Sequence, residues 1–336
     1  GQQIVICGAE THISASLGIT LYPDDAKNSS DLLKNADQAM YLAKSLGRNQ
    51  FCYFTSAMQE EAMEHLQLVN DLRKAIRLNQ LAVYYQPIVE LKTGVVLKAE
   101  ALLRWKHPIR GMVSPAKFIP LAEESGLITE IGDWVFTQTV QHIKKCKQLL
   151  GIDIQISVNK SPVQFKKTEN TLDWLSYLQS NQLLGDSIVI EITEGLLMDN
   201  SADTINRLSD FRDSGIKLSM DDFGTGYSSL SYLKKFELDF LKIDQSFTKN
   251  LAIGSEDMIL SEAIITMAQK LGLKVIAEGI ETEEQMKLLL AAGCDYGQGY
   301  LFSKPIAEDE FLEYLSRSKT EKLIDIPPDM EFYTSL

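Results

Sequence analysis

Cysteine and histidine are scarce in this sequence, with four of each among 336 residues. The cysteines, Cys7, Cys52, Cys146 and Cys294, include no CxxC pair, which argues against a disulfide framework and against a thiolate zinc site. The histidines show no HxxxH spacing, so we expect them to serve in packing or at the surface rather than as zinc ligands. A reducing, cytoplasmic location fits this cysteine usage.

Long apolar runs are missing as well. No stretch approaches the roughly 18 residues that cross a bilayer, and no secretory leader opens the sequence, so we expect no membrane contact from this part of the chain. Basic residues are outnumbered, with 33 lysines and arginines against 46 aspartates and glutamates and a formal net charge of −13. This charge argues against binding to a nucleic-acid polymer. A phosphate-bearing ligand would need local help from bound cations.

The pattern along the chain predicts four segments. Residues 1–54 show the order strand, turn, helix and strand and form a block of their own. Residues 55–79 carry apolar side chains at three- and four-residue spacing, which predicts a connecting helix. Residues 80–316 form the main domain, and residues 317–336 form a C-terminal tail.

Short β-branched or aromatic runs alternate with helical patterns from Leu81 onward. Eight such runs predict an α/β fold, a (β/α)8 TIM-like barrel. The predicted strands are Val83–Val89, Val95–Leu103, Ile154–Val158, Ile188–Ile190, Lys217–Met220, Phe240–Ile243, Lys274–Ala277 and a weaker Tyr296–Tyr300. The link between the first two, Glu90–Gly94, is too short for a parallel crossover. We therefore expect the first strand to be antiparallel.

Polar side chains stand at the ends of nearly all of these predicted strands. They are Glu100, Asn159, Glu191, Asp221 with Asp222, Lys242, Glu278 and Gln298. In a barrel the carboxyl ends of the strands meet at one rim, where active sites lie. A single strand-end carboxylate more often caps the next helix, but a group of them would repel one another and take up protons unless cations neutralised them. Oxygen ligands without Cys or His favour Mg²⁺ or Mn²⁺ over zinc.

These residues lie in motifs that resemble the EAL-domain family of cyclic di-GMP phosphodiesterases. The signature is Glu100-Ala101-Leu102, within the run Ala99–Trp105. The other motifs are Tyr85-Gln86-Pro87-Ile88-Val89, Phe118–Glu123, Ser157-Val158-Asn159, Glu191-Ile192-Thr193-Glu194, Asp221–Leu230, Leu241-Lys242-Ile243-Asp244, Ala277-Glu278-Gly279 and Gln298-Gly299-Tyr300. The resemblance covers roughly residues 66–316.

The resemblance implies hydrolysis of cyclic di-GMP, a bacterial second messenger, to linear 5′-pGpG by two-metal in-line attack of water. The implied metal ligands are Glu100, Asn159, Glu191 and Asp221 for one ion, and Asp221, Asp222 and Glu278 for the other. Two Mg²⁺ or Mn²⁺ ions per active site are expected. We expect Ca²⁺ to inhibit, because Ca²⁺ prefers longer bonds and looser geometry.

The same resemblance implies catalytic roles for Glu100, Lys242 and Glu278. Lys242 follows a strand that looks buried, and its ammonium can orient the attacking water, offset charge on the phosphorus, or merely neutralise the carboxylates. Glu278 can act as a general base or as a metal ligand alone. The sequence leaves these alternatives open.

Further polar residues are implied as substrate contacts, namely Gln86, Arg104, Asp244 and Gln298. Arginine suits a phosphate, whereas the two amides suit polar edges of the substrate or, as the alternative, a hydrogen bond to a loop backbone. The glycine-rich run 222–229 lacks the Walker lysine of a phosphate-binding loop. The resemblance instead implies a loop that supports the metals and contacts a second subunit in a homodimer formed through the barrel, with Glu194 as its anchor.

The first block resembles the C-terminal part of a GGDEF domain, which has an α+β fold. The resemblance rests on Ser14–Asp24, Ala36–Tyr41 and Gly47-Arg48-Asn49. The GGDEF signature itself is absent from the sequence, so we expect this block neither to bind GTP productively nor to make the cyclic dinucleotide. We expect the chain to be a piece of a larger bacterial signalling protein.

Two positions depart from the family pattern, Lys160 after Asn159 and Gln245 after Asp244, and we expect both to tune affinity. Two other functions stay open. One is a receptor that binds cyclic di-GMP without hydrolysis, which the complete set of expected ligands argues against. The other is a phosphodiesterase for another nucleotide, which a comparison of cyclic di-GMP with linear dinucleotides would test.

Overall fold

The computed structural model describes residues 2–6, 9–165, 172–198, 201–224 and 236–320. The chain divides into two compact units, Gly1–Lys74 and Ala75–Leu336. No helix within the described ranges is both long enough and apolar enough to span a membrane.

The first unit contains two small sheets and two helices. Strands β1 (Gln2–Ile6) and β2 (Ala9–Ile13) form an antiparallel pair, and β3 (Leu17–Ile19) pairs in parallel with β4 (Phe51–Tyr53) across helix α1 (Ser29–Ser45). Asn28 caps α1 by accepting the Asp31 N–H at 2.9 Å. Helix α2 (Ser56–Ala75) follows. A side chain on Gly18 would overlap the backbone of Ala36, so β3 and α1 approach closely only because residue 18 is glycine.

The second unit is a closed barrel of eight strands, which confirms the predicted fold class. The barrel strands are β5 (Leu81–Glu90), β6 (Val96–His107), β8 (Gln155–Asn159), β9 (Ile188–Thr193), β10 (Lys217–Phe223), β11 (Phe240–Ile243), β12 (Lys274–Ala277) and β13 (Tyr296–Gly297). Strand β5 closes the ring by pairing antiparallel with both β6 and β13, as the short link after Glu90 predicted. Two short strands, β7 (Gly111–Val113) and β14 (Ile306–Ala307), extend the sheet and were not predicted.

Helices follow most of the strands. They are α3 (Pro115–Glu124), α4 (Ile128–Leu150), α5 (Trp174–Ser180), α6 (Glu194–Met198), α7 (Ala202–Asp213), α8 (Gln245–Thr248), α9 (Glu256–Lys270), α10 (Glu283–Ala291) and α11 (Glu308–Thr320), with 3-10 turns at Pro162–Phe165 and Gly185–Ser187. The local sequence explains where several of these helices begin or end. Thr282 and Gln285 form a capping box at the start of α10, and Gly151, with φ of 64°, ends α4 in the left-handed conformation.

An apolar layer fills the barrel interior. Its members are Ile88, Val189, Phe240 and Ile276, with Tyr296 packed against them. Side chains along a strand alternate between the two faces of a sheet, so residues two positions apart point the same way. The next inward-facing position toward the carboxyl end of each parallel strand therefore lies directly above this layer.

Candidate active site

Strand periodicity places the predicted site residues together above the apolar layer. Glu191 follows Val189 by two positions, and Lys242, Glu278 and Gln298 stand in the same relation to Phe240, Ile276 and Tyr296. Gln86 precedes Ile88 by two positions and reaches the same level because β5 runs in the opposite direction. Glu100 pairs with Gln86 across β5 and β6. The rule of alternation thus gathers residues from strands far apart in sequence.

The ammonium of Lys242 lies at the centre of this group and contacts four carboxylates. Its Nζ is 2.6 Å from Glu278 Oε1, 3.0 Å from Glu191 Oε2, 3.2 Å from Asp221 Oδ1 and 3.4 Å from Glu100 Oε2. The Lys242 and Glu191 side chains are 1% and 0% exposed. Such burial is tolerated because each charge has opposite charges beside it.

The electrostatics of the cluster are dominated by burial and by Lys242. Burial raises the pKa of Glu278 to about 7, opposed by Lys242 and reinforced by Asp221 and Glu100. Burial likewise raises the pKa of Glu191 well above its ordinary value. For Glu100, Lys242 and hydrogen bonds from two amides outweigh burial, and its pKa is lowered. The pKa of Lys242 is raised well above its usual value because its four carboxylate neighbours outweigh burial. One ammonium therefore faces more negative charge than it can neutralise.

The acidic residues fit a hard divalent cation. Carboxylate oxygens of Asp221, Asp222 and Glu278 lie within 4.8 Å of one another. Oε1 of Glu191 is buried and accepts no hydrogen bond from any described residue. Asp222 has a φ of 54°, a strained conformation for a non-glycine residue that occurs at functional sites. Mg²⁺ and Mn²⁺ prefer oxygen ligands, and several carboxylate oxygens converge here.

Two amide side chains donate hydrogen bonds to Glu100, and a third contacts one of these two amides. Asn159 Nδ2 donates to Oε1 of Glu100 at 2.7 Å, and Gln298 Nε2 donates to its Oε2 at 2.7 Å. Gln298 Nε2 also lies 3.0 Å from Oε1 of Gln86, whose Nε2 donates to the backbone carbonyl of Ser303 at 3.1 Å. For Gln86 the predicted alternative of a loop-backbone bond is therefore present. Asn159 and Gln298 therefore hold the Glu100 carboxylate in place.

A cavity of about 350 Å³ opens above the cluster. Its lining includes Gln86, Glu100, Arg104, Asp221, Lys242, Glu278 and Gln298. The Arg104 guanidinium is held at the wall by a 2.9 Å hydrogen bond to the carbonyl of Leu103 and lies 5.7 Å from the ring centroid of Tyr84. A cavity with carboxylates at its base and an arginine at its side suits a phosphate ester bound through cations.

Some residues predicted for the site lie outside the carboxylate cluster. Asp244 caps α8, where its Oδ1 accepts the Ser246 N–H at 2.9 Å, so its substrate contact stays a prediction. Glu194 begins α6 directly after β9. Glu194 was predicted to anchor the loop at 221–230, of which residues 225–230 lie outside the described residues, so the tether stays a prediction. Of the two departures from the family pattern, Gln245 lines the cavity above the carboxylate cluster, whereas Lys160 lines different cavities.

Sequence reasoning missed several wall residues of the cavity, among them Leu102, Glu281 and Tyr300. The sequence could have indicated Tyr300, because it lies two positions beyond Gln298 in the same motif. It could also have indicated Leu102, which shares the inward face of β6 with Glu100. It could not have indicated Glu281, because this residue lies in the turn after β12 and its direction depends on the packing of that turn.

Comparison with known proteins gives the family. Residues 69–305 match the EAL domain, and residues 2–50 match the diguanylate cyclase GGDEF domain. The chain belongs to the EAL domain family. It is similar to the bifunctional diguanylate cyclase/cyclic di-GMP phosphodiesterase MucR of Pseudomonas aeruginosa, with 41% identity over 90% of this chain and 44% of MucR. It is also similar to the cyclic di-GMP phosphodiesterase PdeR of Escherichia coli, with 38% identity over 92% of this chain and 46% of PdeR.

Solved structures agree with the fold of this EAL domain. The PaMucR phosphodiesterase in complex with c-di-GMP matches with a TM-score of 0.68 and 38% identity, covering 73% of this chain and 99% of that one. The chain spans less than half the length of the two curated relatives, 44% of MucR and 46% of PdeR.

Proposed function

We propose that this chain is a metal-dependent phosphodiesterase that hydrolyses cyclic di-GMP to linear 5′-pGpG. The observation that supports the proposal most is the group of four carboxylates around Lys242 at the base of a cavity that also contains Arg104. Relatives named as cyclic di-GMP phosphodiesterases, and a relative solved with c-di-GMP, support the choice of substrate.

The proposed metal site contains two divalent cations, Mg²⁺ or Mn²⁺. Its ligands would be Glu100, Asn159, Glu191 and Asp221 for one ion, and Asp221, Asp222 and Glu278 for the other. When bound, the ions supply Lewis-acid polarisation of the phosphodiester and charge that attracts it into an acidic site. The leftover Oε1 of Glu191 and the converging oxygens of Asp221, Asp222 and Glu278 support this assignment.

The side chains of the protein then position the reactants. Arg104 binds a phosphate oxygen, and Gln86 and Gln298 contact polar edges of the substrate, while Gln298 also holds Glu100. The oxygen of a water molecule attacks phosphorus in line with the departing 3′ oxygen. The P–O3′ bond breaks, a proton passes to O3′, and a 5′ phosphate remains on the linear product.

Glu278 is placed to take the proton of the attacking water, and Lys242 is placed beside it to stabilise the charges of the site. Burial raises the pKa of Glu278 to about 7, and we propose that this carboxylate accepts the proton of the water as well as contributing to the metal site. Lys242 lies 2.6 Å from Glu278 Oε1 and stays charged, so we propose that it orients the carboxylates and offsets charge on phosphorus. Glu278 acts as the base in this arrangement.

We extend the proposal to the assembly. The barrel would form a homodimer, and Glu194 would anchor the loop at 221–230 that meets the partner subunit. Residues 1–54 would be the C-terminal remnant of a GGDEF domain joined through a connecting helix at 55–79, with the barrel at 80–316 and a tail at 317–336. The match of residues 2–50 to the GGDEF domain supports the first of these divisions.

A comparison of substrates tests the proposed activity. The chain is incubated with Mg²⁺ and, separately, with cyclic di-GMP, linear pGpG and cyclic di-AMP, and products are separated by chromatography. We expect cyclic di-GMP to be converted to pGpG and the other two to be cleaved far more slowly. Faster cleavage of another nucleotide would identify a different phosphodiesterase, and tight binding of cyclic di-GMP without product would identify a receptor.

A further inference from the structure

A second cavity, of about 240 Å³, lies among helices α4, α5 and α7. Its lining includes Asp133, Lys160, Gln164, Trp174 and Arg207, and none of the described residues that line it also lines the substrate cavity. The proposed function does not use this cavity. Its charged side chains are the basic Lys160 and Arg207 and the acidic Asp133, Asp173 and Asp210.

The first hydrogen-bond donor in this cavity is Lys160. The residue is only 6% exposed, and its Nζ lies 3.4 Å from the ring centroid of Trp174. Among the described residues, no carboxylate lies within ion-pair distance of this ammonium. The free energy gained from a cation–π contact is smaller than the free-energy cost of burying an ammonium. The charge of Lys160 is therefore incompletely compensated by the described part of the chain.

Gln164 supplies a second donor without an acceptor. The residue is 3% exposed, and its Oε1 accepts the Ser161 N–H at 3.0 Å. Its Nε2 is buried and has no hydrogen-bond partner among the described residues. A Cβ atom on Gly132 would overlap this amide, so the helix backbone at Gly132 packs directly against it and restricts its movement. A buried amide donor held in this way calls for an acceptor that the described chain does not provide.

Arg207 supplies the third donor group. Its Nη1 donates to the backbone carbonyl of Gln164 at 3.0 Å, and within the described ranges no carboxylate forms an ion pair with it. This hydrogen bond orients the guanidinium, and no described residue accepts a hydrogen bond from its other N–H groups. Lys160, Gln164 and Arg207 come from three different segments, yet all line the same cavity.

The acidic residues of the lining do not supply the missing acceptor. Asp133 accepts the indole N–H of Trp174 at 2.7 Å and the Leu172 N–H at 2.9 Å, one with each oxygen. Asp173 caps α5 through both of its oxygens. Asp210 lies on the exposed side of the lining. Asp133 and Asp173 already accept hydrogen bonds, Asp210 is exposed, and none of these three described residues forms an ion pair with Lys160 or Arg207.

We propose that this cavity binds a small metabolite through a single carboxylate or phosphate group. Lys160, Gln164 and Arg207 all line this cavity, and an anionic oxygen group accepts stronger hydrogen bonds from such donors than a neutral acceptor does. The volume fits a small molecule, and the exposed carboxylates of Asp173 and Asp210 disfavour polyanions such as a dinucleotide. The site is therefore separate from the substrate site in position and in ligand.

Thermal unfolding of the full chain in the presence of a chelator tests the proposal, with inorganic phosphate or acetate as the probe and chloride at equal ionic strength as the reference. Anion binding to the folded state raises Tm, by about 3 °C at roughly ten times the dissociation constant. A response to phosphate alone indicates a phosphate-bearing ligand, and a response to acetate alone indicates a carboxylate. No response to either anion contradicts the proposal.

Variants locate the response. Lys160→Met and Gln164→Leu should each abolish the shift, and Lys160→Met should also raise Tm in chloride, because it removes a buried ammonium that lacks a counterion. Arg104→Ala, in the substrate cavity, should keep the full shift. Loss of the shift in Arg104→Ala, or its persistence in both Lys160→Met and Gln164→Leu, contradicts the proposal.

One further variant distinguishes a cavity that binds a ligand from a cavity that is filled by a carboxylate of the chain itself. The sequence between Phe165 and Leu172 contains Glu169. If Glu169→Gln binds phosphate or acetate at least tenfold more tightly than the parent, a carboxylate of the chain competes for the cavity and the proposal of a metabolite site is wrong. We expect Glu169→Gln to change the affinity less than twofold.

Discussion

The Nζ atom of Lys242 lies 2.6 Å from Oε1 of Glu278, and each residue stands two positions beyond a member of the apolar layer inside the barrel. The same ammonium reaches Glu100, Glu191 and Asp221 within 3.4 Å. Four carboxylates therefore share a single internal cation. The remaining negative charge is the physical reason for expecting divalent ions at this rim of the barrel.

Replacing Lys242 with methionine should lower kcat by about 10²–10³-fold, the cost of removing one charge-stabilising donor from an active site. Binding of Mg²⁺ should not weaken, because loss of the ammonium leaves the carboxylates more attractive to a cation. Turnover and the Mg²⁺ dissociation constant are measured on the same preparation. Lys249→Met, at an exposed position just after α8, serves as the matched control. Weaker metal binding in parallel with lost turnover would show that Lys242 only maintains the site.

Calcium should inhibit the reaction even when Mg²⁺ is present. Both ions prefer oxygen ligands, but Ca²⁺ adopts longer bonds at 2.3–2.6 Å rather than roughly 2.0–2.1 Å and a looser geometry. The substrate phosphate would then be held out of line with the attacking water. Initial rates across a calcium titration at fixed Mg²⁺ provide the check. Equal rates with either ion would mean that the metals have only a structural role.

Acid should destabilise the fold partly through His142, which stacks on Tyr85 at 4.0 Å and lies 3.5 Å from Glu308. Burial lowers the pKa of His142 to about 4, although Glu308 opposes the shift. The unfolded chain, with a pKa near 6.5, binds the extra proton first as pH falls. Stability from this residue is complete above about pH 6.5 and is lost between there and about pH 4, by roughly 2–3 kcal/mol.

The variant His142→Phe keeps an aromatic ring beside Tyr85 and removes the titrating group. Urea unfolding at pH 7 and pH 4.5, compared between the parent and this variant, isolates the contribution of His142. The parent should lose about 2–3 kcal/mol more than His142→Phe over this interval. Identical losses in the two proteins would show that His142 titrates alike in the folded and unfolded states.

Glu194→Ala should reduce turnover severely, weaken Mg²⁺ binding and loosen the dimer together. We expect this because Glu194 is predicted to tether the loop at 221–230, which carries Asp221 and Asp222 and is proposed to meet the partner subunit. Turnover, metal affinity and sedimentation are measured on one preparation. Lost turnover with unchanged metal affinity and unchanged dimerisation would place Glu194 directly in the chemistry instead.

The sequence predicted the barrel and the grouping of polar side chains at its rim for one physical reason. Strand periodicity and strand ends are local properties, so Glu191, Lys242 and Glu278 could be assigned to a common rim without any knowledge of packing. Contacts that depend on the closed structure could not be predicted. Gln86 bonds the carbonyl of Ser303, 217 residues away. Lys160, predicted only to tune affinity, lines a cavity formed by helices that are distant in sequence.

The most direct test of the central claim is the product of cyclic di-GMP hydrolysis in Mg²⁺, compared between the parent chain, Glu100→Gln and Glu130→Gln. Glu100 lies in the cluster and is 5% exposed, whereas Glu130 is exposed in the first turn of α4. We predict that the parent and Glu130→Gln convert cyclic di-GMP to pGpG, that chelation stops both, and that folded Glu100→Gln forms no product above the chelated control. A folded Glu100→Gln variant with a near-native rate would contradict the account.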